Sequence, residues 1–329
     1  MQQTHTPVME VRGLTKWFRA GGGGAFGLGG EARYVHAVDD VSFTLEKGRI
    51  LALVGESGSG KSTIARLLAR LYPVTKGQVL LKGHNALARQ NRKAVLQYRS
   101  DVQMIFQDPF GSLNPVETVG YHLSRPLAIH KGLRGAEQER EIHNLLRTVG
   151  LEPAGEYAAK YPHQLSGGQR QRVAIACALG VDPEVILADE PISMLDVSIR
   201  MGILNLMRRL KEERDLAYLY ITHDLASARY IADETMVLYA GHLMEKAPSK
   251  ELMSNPRHPY TRLLISAAPN PAAAKTRVEA RGEIPTIINP KPGCRFAPRC
   301  PLVMPICTER TPEVTEAAPG HLVRCYAAQ

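Results

Sequence analysis

The sequence contains no apolar run approaching the about 20 residues that a membrane-crossing helix needs, so no segment is expected to span a bilayer. Its first residues, Met1 to Pro7, lack the charged-then-apolar pattern of an export signal. Both absences predict a cytosolic protein, or one held at a membrane by partners. There is no RNA-recognition, helix-turn-helix or zinc-finger pattern, and no short-period repeat. Cysteine is nearly missing through residue 290, where Cys177 stands alone among five. That excludes a disulfide framework spread over a secreted fold. The other four, Cys294, Cys300, Cys307 and Cys325, crowd into the last 36 residues and read as one local site.

What is present is enough chain for a full core: 329 residues, suggesting one large domain with an extension or two domains. Net charge is +9, with Lys and Arg scattered and not blocked, which a solvated basic surface explains as well as an anionic partner does. Strands are expected from Val8-Met9-Glu10-Val11, at Val38 to Leu45, at Ile50 to Val54, at Gly77 to Leu81, at Val102 to Phe106, at Val185 to Ala188 and at Leu216 to Thr222. Helical spacing marks Lys61 to Leu71, Glu117 to Ile129, Ala136 to Val149, Ser166 to Leu179, Val197 to Arg214 and Leu225 to Ala232. Strands alternating with helices predict an α/β fold with a mostly parallel, doubly wound sheet, into which a helical subdomain (about 110–180) is inserted. Gly21 to Gly30 lacks a following Lys-Ser and helix, and reads as a surface loop. Beyond about Lys250 prolines recur, and the tail reads as a loop-rich extension ordered by its cysteines.

Gly55-Glu56-Ser57-Gly58-Ser59-Gly60-Lys61-Ser62-Thr63 fits G-x-x-x-x-G-K-[ST], the phosphate-binding loop, between an apolar strand and a helix. Glycines let backbone N–H groups turn inward, and the helix N-terminus adds partial positive charge. Lys61 is expected at the β- and γ-phosphates and Ser62 at Mg²⁺. Val185-Ile186-Leu187-Ala188-Asp189-Glu190 ends a buried strand in two acids. Asp189 is expected near the phosphate-bound Mg²⁺, and Glu190 is placed to polarise an attacking water. In Leu165-Ser166-Gly167-Gly168-Gln169, the serine can cap a helix while the glycines admit a phosphate to the backbone.

Ser166 to Gln169, followed by Arg170-Gln171-Arg172 and lying shortly before Asp189-Glu190, resembles the signature of ABC-type ATPases. Gln107 matches that family's glutamine loop and His223 its switch histidine, and the resemblance covers essentially the whole chain. It implies a P-loop NTPase of ABC type with an antiparallel β part beside the parallel core. It implies ATP bound between the phosphate loop of one ATPase domain and the signature of another. Glu190 would then be the general base and His223 would hold the γ-phosphate. Gln107 would contact Mg²⁺, and Ser166 and Gly168 would touch the partner's ATP. Asp196 would cross the seam, beside Met194 where the family usually has Ala. Phe18 falls at the adenine-stacking position, with Trp17 and Tyr34 as rivals.

Gln103 to Pro109, Ser112-Leu113-Asn114-Pro115, His258-Pro259-Tyr260-Thr261 and the cysteine tail are similar to the dipeptide/oligopeptide importer ATPases, and Gln169-Arg170-Gln171-Arg172 paired with Asp196-Val197-Ser198-Ile199 is similar to the second, F-type subunit of that branch. The resemblance implies residues 1–255 as the nucleotide-binding domain and 256–329 as the importer-type extension. It implies a related second ATPase subunit (or a homodimer), two transmembrane permease subunits and an extracytoplasmic solute-binding protein, with this chain peripheral at the cytoplasmic face of the inner membrane. Cysteine spacings of six, seven and eighteen fit neither ferredoxin runs nor paired C-x-x-C ribbons. Relatives in the resembled branch carry a [4Fe–4S] cluster here, which makes the four cysteines its expected ligands, with Zn²⁺ as the alternative. Cys177, in an apolar stretch, reads as core, and His258 and His321 as structural. A soluble ABC ATPase working on nucleic acid or ribosomes is the rival function. Such proteins usually carry two cassettes or a long coiled coil, and this sequence has neither, so no nucleic-acid partner is expected.

Overall fold

The computed structural model describes residues 7–20, 32–88, 91–267 and 287–328. Gly21 to Gly30, Met1 to Thr6, and Pro269, Pro271 and Pro285 of the tail lie outside the described residues. The chain divides into two compact units. The first comprises Met1–Met9, Leu45–Ile50 and Ala86–Ile221; the second comprises Glu10–Thr44, Leu51–Asn85 and Thr222–Gln329.

In the first unit, strands Val102–Ile105, Val185–Asp189 and Ala217–Thr222 run parallel, with Ile105 opposite Ala188 and Asp189 opposite Ile221. Val185 to Asp189 and Ala217 to Thr222 are buried throughout, which explains why both read as near-continuous apolar runs and not as alternating ones. Between the first two strands lie the helices Val119–Pro126, Gly135–Thr148, Ala154–Ala159 and Gly167–Leu179. Thr118 caps the first of these by accepting the Tyr121 N–H at 3.2 Å. The helices bury Leu123, Ile142, Leu145, Leu146 and Leu179. The long helix Val197–Arg214 has the bounds its spacing predicts.

In the second unit, one sheet places strands in the order Arg33–Glu46, Pro7–Ala20, Lys76–Leu81, His84–Asn85. A second sheet pairs Ile50–Val54 in parallel with Glu234–Tyr239, then His242–Pro248 antiparallel to that strand. The tail strand His321–Val323 continues the sheet antiparallel to His242–Pro248, with Glu245 opposite Val323, and Thr315–Ala318 completes it. Helix Lys61–Leu68 follows the glycine-rich turn and buries Ile64, Leu67 and Leu68 fully. Each such side chain contributes roughly 1.5–3 kcal/mol.

Three features depart from the sequence reading. The helix after the phosphate loop ends at Leu68, and Leu71 is 53% exposed, so it does not share the buried face. Helix Arg92–Asp101 has only Tyr98 buried, too thin an apolar stripe to announce itself. The hairpin Glu234–Tyr239 and His242–Pro248 was not anticipated from the sequence. Among the described residues no helix is long and apolar enough to cross a membrane.

Candidate functional site

The second unit carries the phosphate loop. Its backbone curls where only glycine fits: a Cβ on Gly60, at φ 106°, would lie 2.3 Å from the Ala37 carbonyl oxygen, and one on Gly55 would lie 2.2 Å from that of Leu238. Gly60 is also the N-cap of helix Lys61–Leu68, and no side chain caps that end, so its first N–H groups face the loop. Lys61 is buried, and its Nζ donates to the carbonyls of Gly55 at 2.8 Å and Glu56 at 2.9 Å. Ser59 Oγ is buried, with no hydrogen-bond partner among the described residues. A curled backbone, an uncapped helix start, a buried ammonium and an unmatched hydroxyl form a donor set suited to a polyphosphate.

The same unit holds His223, exposed and directly ahead of Asp224, whose Oδ1 caps helix Leu225–Ile231 by accepting the Ala226 N–H at 2.9 Å. It also holds the three aromatic candidates. Phe18 is half-buried, edge-on to Tyr72 at 5.5 Å, with Lys16 Nζ 4.8 Å from its ring centre. Trp17 stacks on His36 at 4.3 Å and donates its indole N–H to Asp39 at 3.3 Å. Tyr34 is exposed.

The first unit carries the acids and the signature. Asp189 ends its strand 2% exposed. Glu190 follows at φ 46°, a left-handed conformation that a non-glycine residue holds only when its surroundings over-determine it. They do: its N–H donates to the Ile221 carbonyl at 2.9 Å, and its own carbonyl accepts the Ser193 N–H at 3.2 Å and hydroxyl at 3.0 Å. The side chain is brought to Gln107, whose Nε2 donates to Glu190 Oε2 at 3.0 Å across 83 positions of sequence. Gln107 is exposed.

Ser166 is the N-cap of helix Gly167–Leu179 in a reciprocal capping box. Its Oγ accepts the Gln169 N–H at 3.3 Å while Gln169 Oε1 accepts the Ser166 N–H at 3.0 Å. Gln169 Nε2 is held by the Tyr157 hydroxyl at 3.0 Å. Gly168 is required by close packing, since a Cβ there would meet Ile199 Cγ2 at 2.5 Å. Asp196 begins helix Val197–Arg214 without accepting a cap bond and is exposed. Beside it, Met194, Val197 and Met201 are exposed too.

The tail cysteines belong to the second unit. Cys307 and Cys325 are buried, and Cys294 and Cys300 half-buried. The Cys294 N–H donates to the Cys307 carbonyl at 2.7 Å. Burial raises the Cys294 thiol, a hydrogen bond from the Phe296 backbone opposes the rise, and negative charge on Cys307, Cys325 or Cys300 adds to it, bringing the thiol to about 11 in all. Cys300 and Cys325 are likewise raised by burial, then by charge on neighbouring cysteines. The Cys294 and Cys307 backbones are joined directly. Among the described residues, however, no group of three or more Cys, His, Asp or Glu side chains is arranged to hold a metal ion, so the expected ligand set is not preformed. Cys177 is half-buried as a residue, while its thiol group is enclosed and pushed up by that burial to about 12. His258 and His321 have structural partners. His258 Nδ1 accepts the Tyr260 N–H at 3.0 Å, and His321 Nε2 pairs with Glu245 Oε1 at 2.6 Å, both side chains fully buried.

Sequence reasoning missed two residues at the phosphate loop. Arg299 and Tyr260 both contact Glu56. The His-Pro-Tyr and Arg-Cys-Pro stretches were legible as tail features, but nothing local in them points to a partner some 200 positions away.

A phosphate loop, a strand-end acid pair with its glutamine, and a capped glycine signature define an α/β P-loop ATPase of ABC type. Comparison with known proteins gives the branch. The ABC transporter family matches residues 38–193, and the family described as oligopeptide/dipeptide transporter, C-terminal region, matches residues 244–307. The chain is 45% identical to the oligopeptide transport ATP-binding protein AppF of Bacillus subtilis, over 97% of each chain. It is 43% identical to the dipeptide transport ATP-binding protein DppF of Haemophilus influenzae, covering 98% of this chain and 97% of that one. An ATP-binding cassette solved as a dimer in a post-hydrolysis state with ADP and phosphate aligns with a TM-score of 0.63 at 28% identity, over 73% of this chain and 98% of the other. The chain belongs to the ATP-binding proteins of the oligopeptide/dipeptide ABC transporters, and it is an ATPase.

Proposed function

We propose that this chain hydrolyses ATP to power uptake of peptides across the cytoplasmic membrane. The observation that carries the reading is full-length similarity to proteins named for oligopeptide and dipeptide transport, joined to an intact set of ATPase motifs. In this reading residues 1–255 form the nucleotide-binding domain and 256–329 the importer-type extension. The chain sits peripherally at the cytoplasmic face of the membrane. It works with two permease subunits, an extracytoplasmic solute-binding protein and a second, related ATPase subunit.

The residues then take these roles. Gly55 to Thr63 wrap the phosphates, Lys61 neutralises the β- and γ-phosphates, and Phe18 stacks on adenine. Ser62, Gln107 and Asp189 would hold Mg²⁺, which screens the phosphate charge. Glu190 accepts the proton of the water that attacks the γ-phosphorus as the bond to ADP breaks, and His223 steadies the γ-phosphate. The bond from Gln107 to Glu190 supports this assignment, because it orients the carboxylate of the base. Ser166, Gly167, Gly168 and Gln169 serve ATP bound to the partner subunit. The exposed Asp196, Met194, Val197 and Met201 support a partner surface there, since an unpartnered apolar cluster beside an acid is costly to leave in water. The four tail thiols are proposed to take up a [4Fe–4S] cluster, or Zn²⁺ in its place; their crowding into the tail and the backbone bond from Cys294 to Cys307 support it, and metal analysis after anaerobic purification decides it.

Reconstitution with the neighbouring permeases and binding protein tests the function. ATP hydrolysis stimulated by a di- or oligopeptide and dependent on this chain is expected. Stimulation by nucleic acid instead, with no effect of peptide, refutes it.

A further inference from the structure

Glu56, the second residue of the phosphate loop, is anchored from the C-terminal extension. Arg299 meets its carboxylate with both terminal nitrogens, Nη1 to Oε2 at 2.8 Å and Nη2 to Oε1 at 3.1 Å. This is the fork geometry in which charge and direction are both fixed. The Arg299 side chain is 6% exposed. Its guanidinium lies 5.6 Å from the ring centre of Tyr239 and 6.0 Å from that of Phe296, and Nη1 also reaches the Tyr239 hydroxyl at 3.3 Å. A second hold comes from Tyr260, fully buried, whose hydroxyl accepts the Glu56 N–H at 3.0 Å. The third is Lys61, which donates to the Glu56 carbonyl at 2.9 Å. All three polar groups of Glu56 are therefore occupied, two of them by the extension.

An uncompensated carboxylate on a loop that must wrap a polyphosphate repels its ligand, and desolvation strengthens the repulsion. The Arg299 fork cancels that charge and draws the side chain toward the extension, while the Tyr260 hydroxyl pins the backbone at the residue after Gly55. We propose that Arg299 and Tyr260 are positioning residues for nucleotide binding: the extension holds the phosphate loop in its binding shape through Glu56. This inference rests on the reading of Gly55 to Thr63 as the ATP-phosphate site. It adds that the extension, which carries none of the ATPase motifs, sets the affinity of that site.

The test uses the full chain for binding of a fluorescent ATP analogue and the assembled transporter for steady-state ATPase. Arg299→Ala leaves Glu56 charged and unpaired, and is expected to raise KM and the dissociation constant about tenfold while kcat stays within about twofold. Glu56→Gln in the Arg299→Ala background removes the orphaned charge and is expected to recover most of the affinity. Arg299→Lys, which keeps charge without the fork, should fall between wild type and Arg299→Ala. Tyr260→Phe keeps the packed ring and should raise KM alone. An unchanged KM in a folded Arg299→Ala protein, a fall in kcat alone, or a double variant no better than Arg299→Ala overturns the proposal. If Arg299→Ala does not fold, unchanged KM in both Arg299→Lys and Tyr260→Phe overturns it equally. Lys61→Ala separates the two readings. Loss of binding there with none in Arg299→Ala sinks only this inference, whereas normal binding in Lys61→Ala sinks the phosphate-loop reading itself.

Discussion

Replacing Glu190 by Gln is the sharpest probe of the catalytic assignment, because the structure separates its backbone from its side chain. The left-handed backbone at φ 46° is held by bonds to Ile221 and Ser193 that use only main-chain atoms of residue 190. Gln keeps those bonds, is isosteric, and still offers an oxygen to Gln107 Nε2, which stands 3.0 Å from Oε2 in the native chain. Stability should therefore change by less than about 0.5 kcal/mol, and ATP affinity should hold. What disappears is the ability to accept a proton. General-base catalysis is worth about 10²–10⁴ in rate, or about 3–5 kcal/mol of barrier at 1.36 kcal/mol per decade. The assay is single-turnover hydrolysis in the assembled transporter, with nucleotide binding measured in parallel. If the partner subunit's own site is active, the loss is read from the turnover assigned to this chain's phosphate loop. A rate within threefold of wild type, with folding and binding intact, refutes Glu190 as the base.

Three other outcomes are expected. Gly168→Ala places a Cβ 2.5 Å from Ile199 Cγ2 and should lower stability by about 1–3 kcal/mol in thermal denaturation, with Ile199→Ala recovering part of the loss. Cys177, pushed by burial up to about 12, stays protonated at pH 8; mass spectrometry should find it unmodified by iodoacetamide in the native chain and modified in guanidinium. Burial also lowers His242 and His258 to about 4, and His258 Nδ1 must remain unprotonated to accept the Tyr260 N–H. Since the unfolded chain takes up these protons near pH 6.5, stability is full above that pH and falls as pH drops from 6.5 to 4, by about 1.4 kcal/mol per unit for each histidine. His258→Gln should flatten the slope seen in denaturant titrations, and an unchanged slope contradicts the assignment.

The legible parts of the fold are those where a short stretch specifies its own surroundings. Ile50 to Val54, Val185 to Asp189 and Ala217 to Thr222 are buried on both faces, so unbroken apolar runs announced them. The helix Val197–Arg214 showed a full apolar stripe, and Ser166 with Gln169 advertised a capping box. The Arg92–Asp101 helix buries one residue and had no such stripe to show. Leu71 satisfied the helical period but fell past the end of its helix, where the chain turns and no core remains to cover it.

The sequence alone determined the chemistry of phosphate recognition, because that chemistry is contiguous: glycines, lysine and serine lie within nine residues on one strand–turn–helix, and backbone geometry follows from local sterics. Tertiary structure alone decided which distant groups meet. Gln107 reaches Glu190 across 83 positions and Arg299 reaches Glu56 across 243, while the strand His321–Val323 finds its edge on His242–Pro248. Such pairings depend on which surfaces the folded core brings together, and no local pattern in either partner records the other.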